Sequence, residues 1–205
     1  IPVAGGTLAL HERRPLAGTA GDALPLVLLH GFTGSGRDWE AVAALLPRTH
    51  VFAPDLPGHG ETRLDGLGFA AAAEAVVATL AARAVSRFAL GGYSLGGRLA
   101  LQLALARPQH VARLVLESAS AGIADPDERA RRRRDDEMLA EFALEHGIDA
   151  FVDRWEQTPV LAGEARLPEA ERAALRTRRR RCRPAGLAAS LRGLGTGVQP
   201  WLGAR

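Results

Sequence analysis

Ser94 is the residue of this chain best placed to do chemistry. It stands in Gly92-Tyr93-Ser94-Leu95-Gly96, preceded by the apolar run Phe88-Ala89-Leu90 and followed by a helix-forming run from Leu99 to Ala106. Strand, Gly-x-Ser-x-Gly, helix is the context in which a serine occupies a tight turn with its hydroxyl exposed. Gly92 and Gly96 matter because such an elbow presses its backbone against its neighbours, where a Cβ would clash. The helix that starts here points N–H groups and the positive end of its dipole at the serine, which suits an oxyanion. A hydroxyl so placed acts as nucleophile or base when a histidine and an orienting acid serve it. A glycine-rich turn with an incidental serine is the plainer alternative, disfavoured because the pattern fits on both sides of Ser94.

The elements that must position this serine can be read in order. Gly6 to Glu12 alternates apolar and polar residues as an edge strand does, and Leu16 to Ala23 reads as a small-residue turn. Leu24 to Leu29 is wholly apolar, as a buried parallel strand is, and runs into the loop His30-Gly31-Phe32-Thr33-Gly34-Ser35-Gly36. Arg37 to Leu46 predicts a helix with Trp39, Val42, Leu45 and Leu46 on one face. Val51 to Ala53 is the next strand, followed by the loop Pro54 to Gly60. Phe69 to Val85 is an alanine-rich helix, and Val111 to Glu117 a strand beyond the elbow. Strands alternating with helices at this spacing predict a mostly parallel α/β sheet, with sites at the carboxyl ends of strands. Both glycine-rich loops and Ser94 fall at such ends.

After Ser118 the pattern becomes helical. Asp125-Pro126 reads as an N-cap with proline at the first helical position, with Met138, Leu139 and Phe142 as apolar stripe and His146-Gly147 as stop. Ile148, Phe151, Val152 and Trp155 predict a second helix, and Pro168 opens a third through Leu175. The expected organisation is a core over 1–120, a helical cap over 121–195, and a return toward the core over 196–205.

Composition narrows the class. A chain of 205 residues with 47% hydrophobic residues fits one soluble globular domain. The single cysteine, Cys182, excludes an intramolecular disulfide and gives no metal cluster, so a reducing, cytoplasmic setting is expected. No run is long enough to span a bilayer and no charged-then-apolar leader opens the chain. The start at Ile1, without methionine, reads as a trimmed N-terminus. All 26 cations are arginine, yet the net charge is only +3 with acids interspersed, which argues against a nucleic-acid footprint. Monomeric and homo-oligomeric states fit the sequence equally.

His30-Gly31-Phe32, Asp55-Leu56-Pro57-Gly58-His59-Gly60 and Gly92-Tyr93-Ser94-Leu95-Gly96-Gly97 together resemble the α/β-hydrolase superfamily in order and spacing. The resemblance implies an α/β-hydrolase fold, with an oxyanion hole made by the N–H groups of Phe32 and Leu95. It casts His30 as organiser of the oxyanion loop and His59 as a loop stabiliser, neither being the base. Within the superfamily the chain resembles the 2-succinyl-6-hydroxy-2,4-cyclohexadiene-1-carboxylate synthases, lyases of menaquinone biosynthesis. The stretch Leu28 to Gly34, Gly92 to Arg98, Trp155-Glu156-Gln157-Thr158-Pro159-Val160 and Ala174-Leu175-Arg176-Thr177 carry that likeness. It implies a small polycarboxylate substrate held by Arg98, Arg132 and Arg176, with Tyr93 and Trp155 lining the site and no metal or organic cofactor.

The residues themselves carry parts of this unequally. Arg98 lies one helical turn past Ser94, on the same side, where its fork can grip a carboxylate; a surface ion pair is the alternative. Arg132 sits in the run Arg131 to Arg134, ordinarily a solvated face, and spacing leaves open which member faces the site. Arg176 precedes the run Arg178 to Arg181 and is similarly diluted, and Trp155 fits a cap-core anchor equally well. A histidine and an acid are expected after the nucleophile, and after the cap the sequence offers neither; His110 and His146 stand elsewhere. Two to three further strands with their helices are therefore expected beyond Arg205, and the 205 residues alone are expected to be inactive. Three readings result: a lyase eliminating pyruvate from 2-succinyl-5-enolpyruvyl-6-hydroxy-3-cyclohexene-1-carboxylate, a serine esterase or carbon–carbon hydrolase, and a non-catalytic remnant. The arginines favour the first.

Overall fold

The computed structural model describes residues 1–16 and 24–203; most of the turn expected over Leu16 to Ala23 lies outside them. Two short strands, β1 (Pro2–Val3) and β2 (Gly6–Thr7), form an antiparallel hairpin of their own. The main sheet has five strands: β3 (Leu10–Arg13), β4 (Leu26–Leu29), β5 (Val51–Pro54), β6 (Phe88–Tyr93) and β7 (Val111–Glu117), in the order β3-β5-β4-β6-β7. Only β3 runs antiparallel. The edge strand expected over Gly6 to Glu12 is thus split in two. Leu8 turns fully into the core, and the Ala9 amide bonds the Thr62 hydroxyl at 2.9 Å instead of a strand.

The chain passes from β4 to β5 on one side, then crosses back over β4 to β6 and on to β7. The direction of winding therefore reverses between β4 and β6, and a crevice opens beyond their carboxyl ends. Their register sets Leu29 beside Gly92, so the loop from His30 lies against Tyr93-Ser94-Leu95. Helices α2 (Phe69–Ala81) and α3 (Leu95–Ala106) cover the sheet, and their Val76, Leu80, Leu99 and Leu103 bury with Val27, Leu29, Phe88 and Leu90 in the main core.

The first expected helix resolves into a 3₁₀ turn (Gly36–Trp39) and a five-residue helix, α1 (Glu40–Ala44). Its face differs from the expectation: Ala43 is buried, Val42 is exposed and Leu45 is 80% exposed. Too short to present a full amphipathic stripe, the helix meets the sheet through Ala43 and Trp39.

Beyond β7 come α4 (Pro126–Trp155), a 3₁₀ segment (Pro159–Arg166), α5 (Glu169–Arg179) and α6 (Pro184–Leu194). Asp125 caps α4, accepting from the Glu128 amide at 2.7 Å, with Pro126 at the first helical position. Gly147 (φ +78°) breaks the helix at the expected stop, and the helical path resumes. Phe151 and Val152 are fully buried, with Ile148 and Trp155 packed beside them. In the first part of α4 Ala140 and Ala143 are buried instead of Met138, which is 55% exposed. Helix α6, which the sequence reading did not separate from the loops, supplies the reason: its Leu187, Ala188 and Leu191 pack against α4, and small side chains let the two approach closely. The tail then returns to the sheet, the Leu202 amide bonding the Ala121 carbonyl at 2.8 Å.

Candidate active site

Ser94 takes φ +51° and ψ −112°, a strained backbone for a side-chain-bearing residue. Such strain costs on the order of 1–3 kcal/mol and persists only where the surroundings enforce it. Here they do. A Cβ on Gly92 would come within 2.4 Å of the Gly96 oxygen, one on Gly96 within 2.2 Å of the Leu29 oxygen, and one on Gly97 within 2.7 Å of the Ala119 Cβ. The Ser94 amide donates to the Glu117 carbonyl of β7 at 2.9 Å. Helix α3 begins at once with Leu95, four residues ahead of the expected run.

The loop after β4 is fixed by His30. Its Nε2 accepts from the Leu56 amide at 2.9 Å, so Nδ1 carries the proton and donates to the Gly31 carbonyl at 2.8 Å. Burial lowers its pKa, keeping the ring neutral. Asp55 ties the neighbouring loop: burial alone would raise its pKa, but hydrogen bonds from His11 and the Glu61 and Gly36 amides outweigh that and hold the carboxyl below its usual range. His59 donates from Nδ1 to the Pro57 carbonyl at 3.0 Å, and burial, with His30 beside it, pushes its pKa down to about 3. His30 is thus hydrogen-bonded through both ring nitrogens, whereas the buried His59 Nε2 has no hydrogen-bond partner among the described residues. Phe32 sits edge-on to the rings of His59 (5.6 Å), Phe151 (6.1 Å) and Trp155 (5.2 Å), joining the core to the helical layer. Neither the Phe32 nor the Leu95 N–H donates to another described residue.

A cavity of about 940 Å³ lies between the sheet and the helical layer. Ser94, Phe32, Leu95, Tyr93, Arg98, Arg132 and Trp155 all line it. Arg98 donates from Nη1 to the Leu194 carbonyl (3.0 Å) and the Gln199 side-chain oxygen (3.3 Å), and lies over the Phe69 ring. Among the described residues no carboxylate is in ion-pair contact with it; burial lowers its pKa to about 10, with the charge of Asp136 opposing that shift and Arg132 adding to it. Arg132 is the member of its run that reaches the cavity. Its Nε and Nη2 hold the buried Asp136 at 2.9 and 2.8 Å, and Asp136 also accepts from the Gly197 amide.

Arg176 is placed elsewhere: Glu156 draws its Nε and Nη2 at 2.8 and 2.6 Å, off the cavity wall. From the same helix Arg178 and Arg179 line the cavity instead, Arg178 paired with Asp38 (3.1 Å) and Arg179 with Glu156 and Glu164. The sequence reading passed over Asp136, Ser190 and Gln199; the i, i+4 spacing from Arg132 to Asp136 was the one available signal. No described side chain hydrogen-bonds the Ser94 hydroxyl: His110 bonds the Ser86 carbonyl and His146 packs on Phe142.

Known proteins agree with this architecture. The family model described as alpha/beta hydrolase fold matches residues 25–181, and the chain belongs to that fold family. A protein of Bacillus subtilis (strain 168) named for 2-succinyl-6-hydroxy-2,4-cyclohexadiene-1-carboxylate synthase activity is 40% identical over 88% of this chain and 67% of its own length. The synthase of that name from Enterobacter sp. (strain 638) is 36% identical over 85% of this chain and 67% of its own length. Among solved structures, MenH from S. aureus superimposes with a TM-score of 0.85 at 30% identity, covering 94% of this chain and 73% of that one. A thermophilic esterase from Thermogutta terrifontis, solved with malate bound, gives 0.77 at 26% identity, covering 95% and 68%. Within the fold, the chain belongs to the 2-succinyl-6-hydroxy-2,4-cyclohexadiene-1-carboxylate synthases.

Proposed function

We propose that Ser94 and the cavity around it serve a cytoplasmic lyase that releases pyruvate from 2-succinyl-5-enolpyruvyl-6-hydroxy-3-cyclohexene-1-carboxylate. The observation that carries this reading is Arg98, a guanidinium one turn past Ser94, facing the same cavity without a carboxylate of its own. A buried cation in that state is suited to an anionic ligand. Arg132, its charge matched by Asp136, lines the same cavity, and Tyr93 and Trp155 supply flat walls for a ring.

The conversion of a 3-ene to a 2,4-diene fixes the electron flow. The bond from ring carbon 2 to hydrogen breaks and its pair forms the 2,3 double bond, the 3,4 π pair moves to become the 4,5 double bond, and the carbon 5–oxygen bond breaks to release pyruvate as its enolate, which then takes up a proton. Ser94 oxygen is the base, itself deprotonated by a histidine–acid pair that this reading places outside the 205 residues. Negative charge developing on the succinyl ketone oxygen is received by the Phe32 and Leu95 amides.

The test joins this chain to the C-terminal segment of the Bacillus subtilis relative and measures pyruvate release. Release abolished by Ser94→Ala, with KM raised by Arg98→Met, is the expected result. Brisk hydrolysis of p-nitrophenyl butyrate without any pyruvate release sinks the lyase reading and favours a serine hydrolase.

A further inference from the structure

Asp136 lies in the first half of α4, only 3% exposed, on the wall of the cavity that holds Ser94. A carboxylate buried to that degree must be paired and hydrogen-bonded. Its Oδ1 accepts from Arg132 Nε and Nη2 at 2.9 and 2.8 Å, and its Oδ2 from the Gly197 amide at 3.1 Å. Arginine ahead of the acid at i, i+4 is the weaker order for a helical ion pair, because both charges then oppose the helix dipole. The reason for the pair therefore lies in what α4 packs against.

It packs against the turn that ends α6. A Cβ on Gly195 would lie 2.5 Å from Asp136 Oδ2, and one on Gly197 would lie 2.3 Å from the Arg133 nitrogen, so glycine at both positions lets the turn press on α4. The Val198 amide closes the turn on the Gly195 carbonyl at 3.2 Å. Its two ends hold Arg98: the Leu194 carbonyl and the Gln199 side-chain oxygen accept from Arg98 Nη1 at 3.0 and 3.3 Å. One carboxylate is thus bonded to Arg132 and to the segment that carries both acceptors of Arg98. Its charge reaches Arg98 too, favouring the cation that Arg132 disfavours.

We infer that Asp136 is a positioning residue, fixing Arg132 directly and Arg98 through the Leu194 to Gln199 turn, so that both guanidinia are ordered before an anionic ligand arrives. The inference rests on the reading of the cavity as a polycarboxylate site, and it gives Asp136 no contact with the ligand. Side chains already ordered spare the ligand the cost of ordering them. Asp135 supplies the control: it lines the same cavity, is exposed and forms no ion pair among the described residues. Asp135→Asn removes the same charge without touching either guanidinium. Loss of a negative charge alone draws an anion in more strongly, whereas loss of positioning does the reverse.

The experiment is calorimetric titration of the 205-residue chain with 2-(3-carboxypropanoyl)benzoate and with its dimethyl ester, beside hydrogen exchange at the Gly197 and Val198 amides. Asp136→Asn is expected to weaken diacid binding about tenfold, the ordering cost of two long side chains, and to leave diester binding unchanged. Asp135→Asn should leave diacid binding level or tighter. Val198 exchange should quicken about tenfold in Asp136→Asn and stay level in Asp135→Asn. Should Asp136→Asn fail to fold, the wild-type chain carries the test: coupling is reciprocal, so saturating diacid should slow Val198 exchange about threefold or more, and unaltered exchange overturns the inference. Diacid affinity in Asp136→Asn equal to wild type or tighter overturns it too, as do equal losses for diacid and diester, which mark a carboxylate that only supports the fold. A folded wild-type chain that binds no diacid overturns the polycarboxylate reading instead. Val198 exchange in Asp136→Asn then decides the positioning by itself, unaltered exchange showing that the turn stands without Asp136.

Discussion

Gln199 holds Arg98 from behind: its side-chain oxygen accepts from Arg98 Nη1 at 3.3 Å while its Nε2 donates to the Ser120 carbonyl at 2.9 Å. The amide is almost fully buried and spans from the end of β7 to the cavity wall. Gln199→Leu removes both bonds and strands the Ser120 carbonyl, with an expected cost of about 1–3 kcal/mol in urea unfolding. Gln199→Glu gives Arg98 an internal counter-charge, so affinity for a dicarboxylate should fall about tenfold or more with stability retained. Titration calorimetry beside urea melts separates the two. If Gln199→Glu binds the diacid as tightly as wild type, Gln199 has no part in setting the charge that Arg98 presents.

The elbow depends on missing side chains. Gly96→Ala places a methyl 2.2 Å from the Leu29 oxygen and 2.6 Å from the His30 oxygen, both backbone atoms that cannot move without shifting β4. Gly92→Ala meets the Gly96 oxygen at 2.4 Å. Each is expected to cost about 3 kcal/mol or more, or to prevent folding. Gly163→Ala is the control: nothing lies within 4 Å of its added methyl, so stability should stay level or rise by up to about 1 kcal/mol. Equal urea midpoints for Gly96→Ala and Gly163→Ala would show that the elbow relaxes freely.

Where chain periodicity and burial coincide, the sequence was informative. Leu26–Leu29 and the Asp125-Pro126 helix start were readable because a buried parallel strand is apolar throughout and a capped helix start has its own chemistry, whereas Val111–Glu117 was readable from its β-branched and leucine residues although most of it is exposed. Periodicity misled in α1, whose five residues cannot hold a stripe, and in α4, where the partner helix made alanine the buried residue. That partner, α6, had a signal: Pro184 at the first position and Leu187, Leu191 and Leu194 at helical spacing. Ser94, Phe32, Leu95 and Arg98 were legible because they lie close to motif glycines. Arg176 and Arg178 were not separable, since the choice is made by Glu156 and Asp38, acids remote in sequence.

Histidine burial sets the pH dependence. His59, with its pKa near 3, and His30, also lowered, stay neutral in the folded chain, whereas unfolded they protonate near 6.5. Below that pH the unfolded state binds more protons, so stability falls with acidity by up to about 1.4 kcal/mol per pH unit for each ring. His11 behaves oppositely: its hydrogen bond to Asp55 raises its pKa, so its contribution is full below 6.5 and is lost as pH rises through the raised value. A stability maximum near pH 6.5 is expected in urea melts between pH 5 and 8.5. His59→Asn should flatten the acid limb and His11→Asn the alkaline one. Limbs unaltered in both variants would remove these rings as the cause.

Cys182 reports on the seam between the helical layer and the loop after β4. Its thiol donates to the Thr33 carbonyl at 3.3 Å, next to Phe32, and burial, with Asp38 and Asp55 nearby, pushes its pKa up to about 12. At pH 8 only about one thiol in ten thousand would be ionised while the seam is closed. Labelling by a disulfide reagent must then wait for α5 and α6 to lift from the core. The half-exposed Arg178–Asp38 pair spans that seam at 3.1 Å. Because a surface ion pair contributes about 0.2–1 kcal/mol, Arg178→Ala should speed labelling about two- to fivefold, with the urea midpoint little changed. A dicarboxylate seated under the layer should slow it, and should do so less in Arg98→Met. Immediate labelling in the native chain, at the rate seen in urea, would mean that the seam is open and that Thr33 is held by other contacts.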